Sequence, residues 1–511
     1  MPTSDFAALL CSIVLIWPTV TSSLELIEDL ESRISSLERR VRAIEQPVWQ
    51  ISGASNSWDV CTQGPCRCMP ETRSLSCWSM RLTDLPATQL VPRDALKLDL
   101  SDNQLTALHK EAFAGLNQLK HLDVNDNAIE HLPISLFFSL NNITHMRLSK
   151  NFLRELDKNQ LFSMRHLEIF DLSTNKLRTL PEELFTGNTA MVLLDLSGNR
   201  ISELPTAAFE GLSNLEELLL SKNQINDLPA NCFLGLGNLR KLNLDENQLN
   251  ELPVEVFSSL TKLDELILRE NSLQTVPSLL LHPLKQLRVL DLSGNKLTHI
   301  SSMAFRGLEC LKELELGRNH LRKLTRGVFR PLASLERLIL YGNALQQIEA
   351  ADFAGLSNLT TLFLHVNHLR QMHPICLRDV PRLRKLQLED NYLSHLPKNF
   401  FEFTAELTQL QLARNPWHCD CASLYLASWL RKRKQKDESD DAATGAMCRG
   451  PGLLGGKLLF RLSYRELCSN EWASTKGFVP RLPLDAALDE YSLLEEVTMT
   501  FRPSQKLGLL K

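Results

Sequence analysis

The 511-residue chain has no run of about 18 apolar residues, so no membrane-spanning helix is expected. Its net charge is only −4, too little for a global basic field that would draw in nucleic acid. Aromatic residues make up 6% of it. Glycine-rich phosphate loops, H-E-x-x-H and G-x-S-x-G are all missing. The histidines His121, His145 and His365 stand singly in strand-like segments. No enzyme, cofactor or metal site is therefore expected. Leucine, by contrast, is roughly a fifth of the chain, well above ordinary usage. So much leucine must be buried, which excludes wholesale disorder and points to a repeated unit.

The amino terminus reads as a targeting signal, residues 1–22. Ala7 to Trp17 is a short apolar core, Pro18 ends it, and Val20-Thr21-Ser22 supplies small residues for cleavage. The Lys506–Lys511 end is too short and polar for a lipid-anchor tail, so a secreted protein is expected. Cysteine usage agrees. Of twelve Cys, four cluster at 61, 66, 68 and 77 and four at 419, 421, 448 and 468. Two such groups flanking a Cys-poor middle read as disulfide-stapled end modules in an oxidising compartment, and neither group has the paired C-x2-C spacing of zinc sites.

The middle is strictly periodic. An Asn follows the pattern L-x-L-x-x, with Val124, Met146 and Phe170 standing for Leu in three units, at 103, 127, 151 and every 24 residues up to 415, giving fourteen units over 95–415 without an insertion. Alternation in L-x-L predicts a short strand with Leu inward and its neighbours outward. The Asn falls where the chain leaves the strand, and its amide both donates and accepts, so stacked Asn side chains can satisfy the backbone there. Later in each unit, ten of thirteen equivalent positions from Phe113 to Phe401 carry Phe, with Leu161, Leu281 and Leu377 in the others. Leu-Pro pairs such as Leu204-Pro205 argue against regular helix on that side.

This pattern, L-x-x-L-x-L-x-x-N-x-L, resembles the leucine-rich repeat. Cys61-x4-Cys66-x-Cys68-x8-Cys77 resembles the amino-terminal cap of extracellular members of that family. Asn415-Pro416-Trp417-His418-Cys419-Asp420-Cys421, followed by Trp429, Cys448 and Cys468, resembles their carboxy-terminal cap. Slit-type domains, chondroadherin-like matrix proteins and the acid-labile subunit share these features. The resemblance implies an α/β solenoid, a horseshoe with a parallel concave sheet, capped at 61–94 and 416–468. It also implies the disulfides Cys61–Cys68, Cys66–Cys77, Cys419–Cys448 and Cys421–Cys468, and a habit of binding proteins without naming one. Cys232, Cys310 and Cys376 are left over. At the usual strand spacing they lie about 15 to 29 Å apart, beyond the reach of a disulfide.

Ahead of the repeats, Ile27, Leu30, Ile34, Leu37, Val41 and Ile44 form a 3-4-3-4-3 seam over residues 24–46, ended by Pro47. Arg33 and Arg40 would face Glu38 and Glu45 of a parallel partner, so self-association into a parallel dimer or trimer is expected. Residues 47–60 then read as linker and 469–511 as flexible tail. Arg431 to Lys436, followed by the acidic Asp437–Asp441, reads as a charged, solvated loop. Asn142-Ile143-Thr144 and Asn358-Leu359-Thr360 are glycosylation acceptors.

Outward strand positions are usually polar, yet Ile339, Tyr341, Phe363 and His365 break the rule in two adjacent units, with Val366 alongside. Strands about 4.8 Å apart would stack them into an apolar, aromatic patch, which Ile267 and Leu219 could extend. Asp99, Asp123, Asp171, Asp195 and Asp291 recur at one outward position as repeat decoration. The expected function is a secreted scaffold presenting this face to an extracellular protein or receptor ectodomain. The alternative is a matrix or inhibitory scaffold acting by multivalent weak contacts.

Overall fold

A computed structural model describes Ile34, Val41 and residues 48–52, 57–436 and 445–468. Two compact units emerge: Met1–Ile225 with Asn231–Leu239, and Asn226–Ala230 with Arg240–Lys511.

In the first unit, parallel three-residue strands follow one another at Ser74–Ser76, Lys97–Asp99, His121–Asp123, His145–Arg147, Ile169–Asp171, Leu193–Asp195 and Glu217–Leu219. In the second they run from Lys241–Asn243 through Glu265–Ile267, Val289–Asp291, Glu313–Glu315, Arg337–Ile339, Thr361–Phe363 and Lys385–Gln387 to Gln409–Gln411. The central residue of every strand is buried, as the alternation predicts. Turns, not helices, return the chain from one strand to the next, so helix among the described repeats is confined to the ends of the solenoid.

Two columns of side chains hold the turns in register. The Asn column is buried and fully bonded. Asn127 accepts from Leu105 N at 3.0 Å and donates to Leu100 O and Val124 O at 3.0 and 3.2 Å. Each amide thus satisfies backbone groups of its own turn and of the preceding one, groups that would otherwise be desolvated and unpaired. The Phe column is buried too, and its rings stack: Phe185, Phe209 and Phe233 have centroids 6.4 and 6.0 Å apart. The residue just before each Asn takes a left-handed conformation, whether Gly198, Gly294 and Gly342 or, less comfortably, Val366 at φ 52°.

Both ends are stapled by the four disulfides that the family resemblance implied, Cys61–Cys68, Cys66–Cys77, Cys419–Cys448 and Cys421–Cys468. Inside the first cap lies an uncharged polar key. The buried Gln89 amide donates to Cys61 O and Leu90 O and accepts from Cys66 N. A Cβ on Gly64 would fall 2.2 Å from the Gln89 carbonyl oxygen, which is why glycine stands there.

Residues 47–60 were expected to be linker; the described part of them is not. Trp49 is buried and its indole donates to Ala112 O. Gln50–Ser52 pairs in parallel with Leu90–Pro92, and Ser57–Cys61 forms a short helix from which the Trp58 indole donates to Asp94. One aromatic anchor without periodic neighbours leaves no pattern, so the docking is invisible in the sequence. A second correction concerns Arg431 to Lys436. These residues end the helix Leu424–Lys436 rather than forming a solvated loop. Arg431 donates to Phe460 O and Leu462 O, and Arg433 to Leu407 O and Thr408 O, so two of the cations cap backbone carbonyls. Of the leftover cysteines, Cys232 and Cys376 are buried and Cys310 is exposed; burial pushes the Cys376 thiol up to about 12.

Among the described residues no helix is long and apolar enough to cross a membrane. Ile27, Leu30, Leu37 and Ile44 of the heptad seam, the signal segment and the tail lie outside the described residues. Ile34 and Val41 are helical and exposed, at 54% and 52%.

Candidate protein-binding face

The second unit brings Tyr341, Phe363 and His365 together on the outward side of its sheet. The Tyr341 and His365 rings are parallel with centroids 4.9 Å apart, and Phe363 meets His365 edge-on at 5.8 Å. Space for Tyr341 comes from the neighbouring strand. Gly317 occupies the equivalent position there, and a Cβ on it would lie 2.6 Å from the tyrosine ring. Cations border the cluster: Arg337 and Lys385 stand over Phe363 at 5.6 and 5.1 Å, and Arg318 over Tyr341 at 5.8 Å.

Other members of the sequence-derived patch fare differently. Ile339 is in register with Phe363, as expected, but only 2% of it is exposed. It is floor beneath its neighbours, not contact surface. Ile267 does not extend the patch, because Asp291 and Glu315 occupy the two strands between it and Ile339. Leu219, in the first unit, is half-buried beside Asp195. Val366 is 39% exposed. A β-branched residue in the left-handed region is strained, and the repeat imposes that conformation on every residue before a column Asn.

The electrostatics around the cluster were not legible in the sequence. Glu315 faces Asp291 and Glu313, and burial together with those like charges pushes its carboxyl up to about 7, against the opposing pull of Arg337. On the other flank burial raises Glu389. Burial also lowers His365, whose ring Nδ1 has no hydrogen-bond partner; Glu389 Oε2 has none either. The recurring aspartates are structural. Asp99, Asp171, Asp195 and Asp291 each accept from the backbone N–H two residues on, at 2.8–3.0 Å, closing the turn after the strand. Among the described residues no group of three or more His, Cys, Asp or Glu is arranged to hold a metal ion.

Both sequon asparagines occupy a repeat position that bonds the preceding turn. Asn142 is exposed and donates to Asn117 O. Asn358 donates to Ala333 O while its carbonyl accepts from Arg382 at 2.7 Å.

Comparison with known proteins agrees with this architecture. The leucine rich repeat family model matches in overlapping stretches from residue 95 to residue 416. Human platelet glycoprotein IX is 34% identical over 94 residues, 18% of this chain and 50% of that protein. Mouse carboxypeptidase N subunit 2 is 37% identical over 71 residues, 14% of this chain and 12% of that protein. The chain thus spans half or less of the curated relatives it matches. Among solved structures, the Toll–Spatzle complex of Drosophila aligns with TM-score 0.64 at 25% identity, covering 74% of this chain and 52% of that one. A chain of the octameric complex of Latrophilin 3, Unc5D and FLRT2 aligns with TM-score 0.53 at 25% identity, covering 60% and 91%.

Proposed function

Since the chain belongs to the leucine-rich repeat family, we propose that it is a secreted, non-enzymatic scaffold that binds another extracellular protein on the sheet face around Tyr341, Phe363 and His365. One observation carries this reading: aromatic rings gathered on the outward face of the sheet, with Gly317 leaving room for the tyrosine. Desolvated aromatic clusters of this kind concentrate binding energy. The disulfide-stapled ends suit an oxidising, extracellular setting. The Toll–Spatzle complex and the Latrophilin 3, Unc5D and FLRT2 complex are assemblies with protein partners, and their likeness supports the same use here. Protein recovered from cell surfaces by the wild-type chain should be lost with Tyr341→Ala plus Phe363→Ala, a weakening of at least about 2 kcal/mol. An unchanged unfolding curve is the control, because both side chains are half-exposed. Binding that survives both substitutions would place the ligand elsewhere.

Clustering through residues 24–46 completes the proposal. The exposed, helical Ile34 and Val41 are both a positions of the seam, and a short helix of this kind gains its stability from a partner. Sedimentation of the secreted chain should show a dimer or trimer, and Ile34→Asp plus Leu37→Asp should yield a monomer. A wild-type monomer at about 1 μM, a concentration at which pairing worth about −8 kcal/mol would show, would refute self-association.

A further inference from the structure

Ion pairing around the aromatic cluster is unbalanced. Arg337 is held by Glu313 at 3.0 Å, Arg414 by Asp390, and Arg318 lies 3.9 Å from Glu270. Among the described residues no ion pair reaches Asp291, Glu315 or Glu389, while Glu270 is shared by Arg318 and Arg269 and Lys385 stands over Phe363. With Glu315 ionised, the three carboxylates leave the rim of an apolar floor net negative. The carboxylates are also placed in a useful way. Glu315 stands one strand from Ile339 and two from Phe363, on one side of the cluster. Glu389 follows the strand Lys385–Gln387, on the other side. Three strand steps and two residues along the strand separate them, about 16 Å. An extended segment of a partner presents residues i, i+2 and i+4 on one side over about 14 Å, at 3.4 Å per residue, and long basic side chains span the difference.

Resting on the reading above, we propose that the face takes an extended segment of its protein partner with the pattern basic–x–apolar–x–basic. The apolar side chain covers Tyr341 and Phe363, and the two basic ones reach Glu315 and Glu389. Such a segment supplies positive charge beside carboxylates that no ion pair of the face reaches. An acidic segment would meet uncompensated like charge and be rejected. Binding should also depend on pH. Glu315, faced by Asp291, Glu313 and Arg337, ionises at about 7, so above that pH it attracts a basic side chain and below it the attraction fades. Glu389 is faced by Asp390, Arg414 and Lys385, and His365 by Asp390 and Arg414.

The test uses the full chain with histidine ring carbons labelled and three synthetic peptides: acetyl-Arg-Ser-Leu-Ser-Arg-amide, its Glu-for-Arg counterpart, and Arg-Ser-Ser-Ser-Arg. The resonance assigned by His365→Gln reports binding. The Arg–Leu–Arg peptide should bind at least about ten-fold tighter than either comparison peptide, a difference of about 1.4 kcal/mol. It should weaken several-fold between pH 8 and pH 6, and Glu315→Gln with Glu389→Gln should remove both the preference and the pH dependence. Equal response to the acidic peptide, or a preference that survives the double variant, overturns the proposal. If the aromatic variants abolish partner binding while this peptide leaves His365 unmoved, the binding face stands and its basic specificity falls. If neither experiment implicates the face, both readings fail together.

Discussion

Phe209→Ala should lower the stability of the first unit by about 4 kcal/mol. The side chain has no measurable exposure and lies between Phe185 and Phe233, so truncation removes a ring from the middle of a stack and leaves a void on both sides. Relaxation is hindered because the strand and the Asn bonds fix each turn from the opposite edge. Phe209→Leu is the informative control. Leucine stands at the equivalent buried positions 161, 281 and 377, so the leucine variant should lose only about 1 kcal/mol. Chemical unfolding of both variants measures the difference. Equal losses would mean that ring stacking, not filled volume, holds the column.

Asn343→Ala should cost about 3 kcal/mol, measured in the same way. Its amide accepts from Leu321 N at 3.1 Å and donates to Leu316 O and Leu340 O at 2.9 and 3.1 Å. Alanine leaves one buried donor and two buried carbonyls without those partners. Asn343→Asp separates the two halves of the amide. A carboxylate still accepts from Leu321 N but repels both carbonyls, so aspartate should be no milder than alanine above its own pKa and should recover as protonation restores a donor. Asp loss that is independent of pH would mean that the donor half contributes little. Because Asn343 lies two residues beyond Tyr341, the same variants also test whether the aromatic cluster depends on the turn beneath it.

What could be read in the residues follows from how periodic each feature is. The Asn and Phe columns repeat every 24 residues, so their roles appear on comparing one unit with the next. The cap disulfides were readable only through likeness to other capped repeat proteins; spacing alone leaves several pairings open. Features that occur once were not legible. Trp49 docks a strand without any pattern around it, and Gln89 is one buried amide in a polar stretch. Ile339 shows a further limit. Alternation tells which side of the sheet a residue occupies but not how far its neighbours overhang it. With Glu315 and Phe363 in register on either side, an isoleucine on the outward side is still covered. The raised Glu315 has the same origin: strand pairing sets three carboxylates side by side that the sequence holds 22 or more residues apart or two residues apart on one strand.

The double duty of each Asn amide constrains how such a chain can change its length. Asn127 serves Leu100 and Leu105 of the preceding turn as well as its own Val124, so the spacing between turns is a bonding distance rather than a habit of composition. Loss or gain of a single residue within a described turn would slide that amide off its neighbour's carbonyl and shift every inward side chain of the strand to the wrong side. Removal of all 24 residues from one Asn to the next would instead rejoin like to like, with each amide finding the same partners one turn further along. Growth and shortening of this solenoid are therefore quantised, and gene segments that add or drop whole turns are the changes its backbone tolerates.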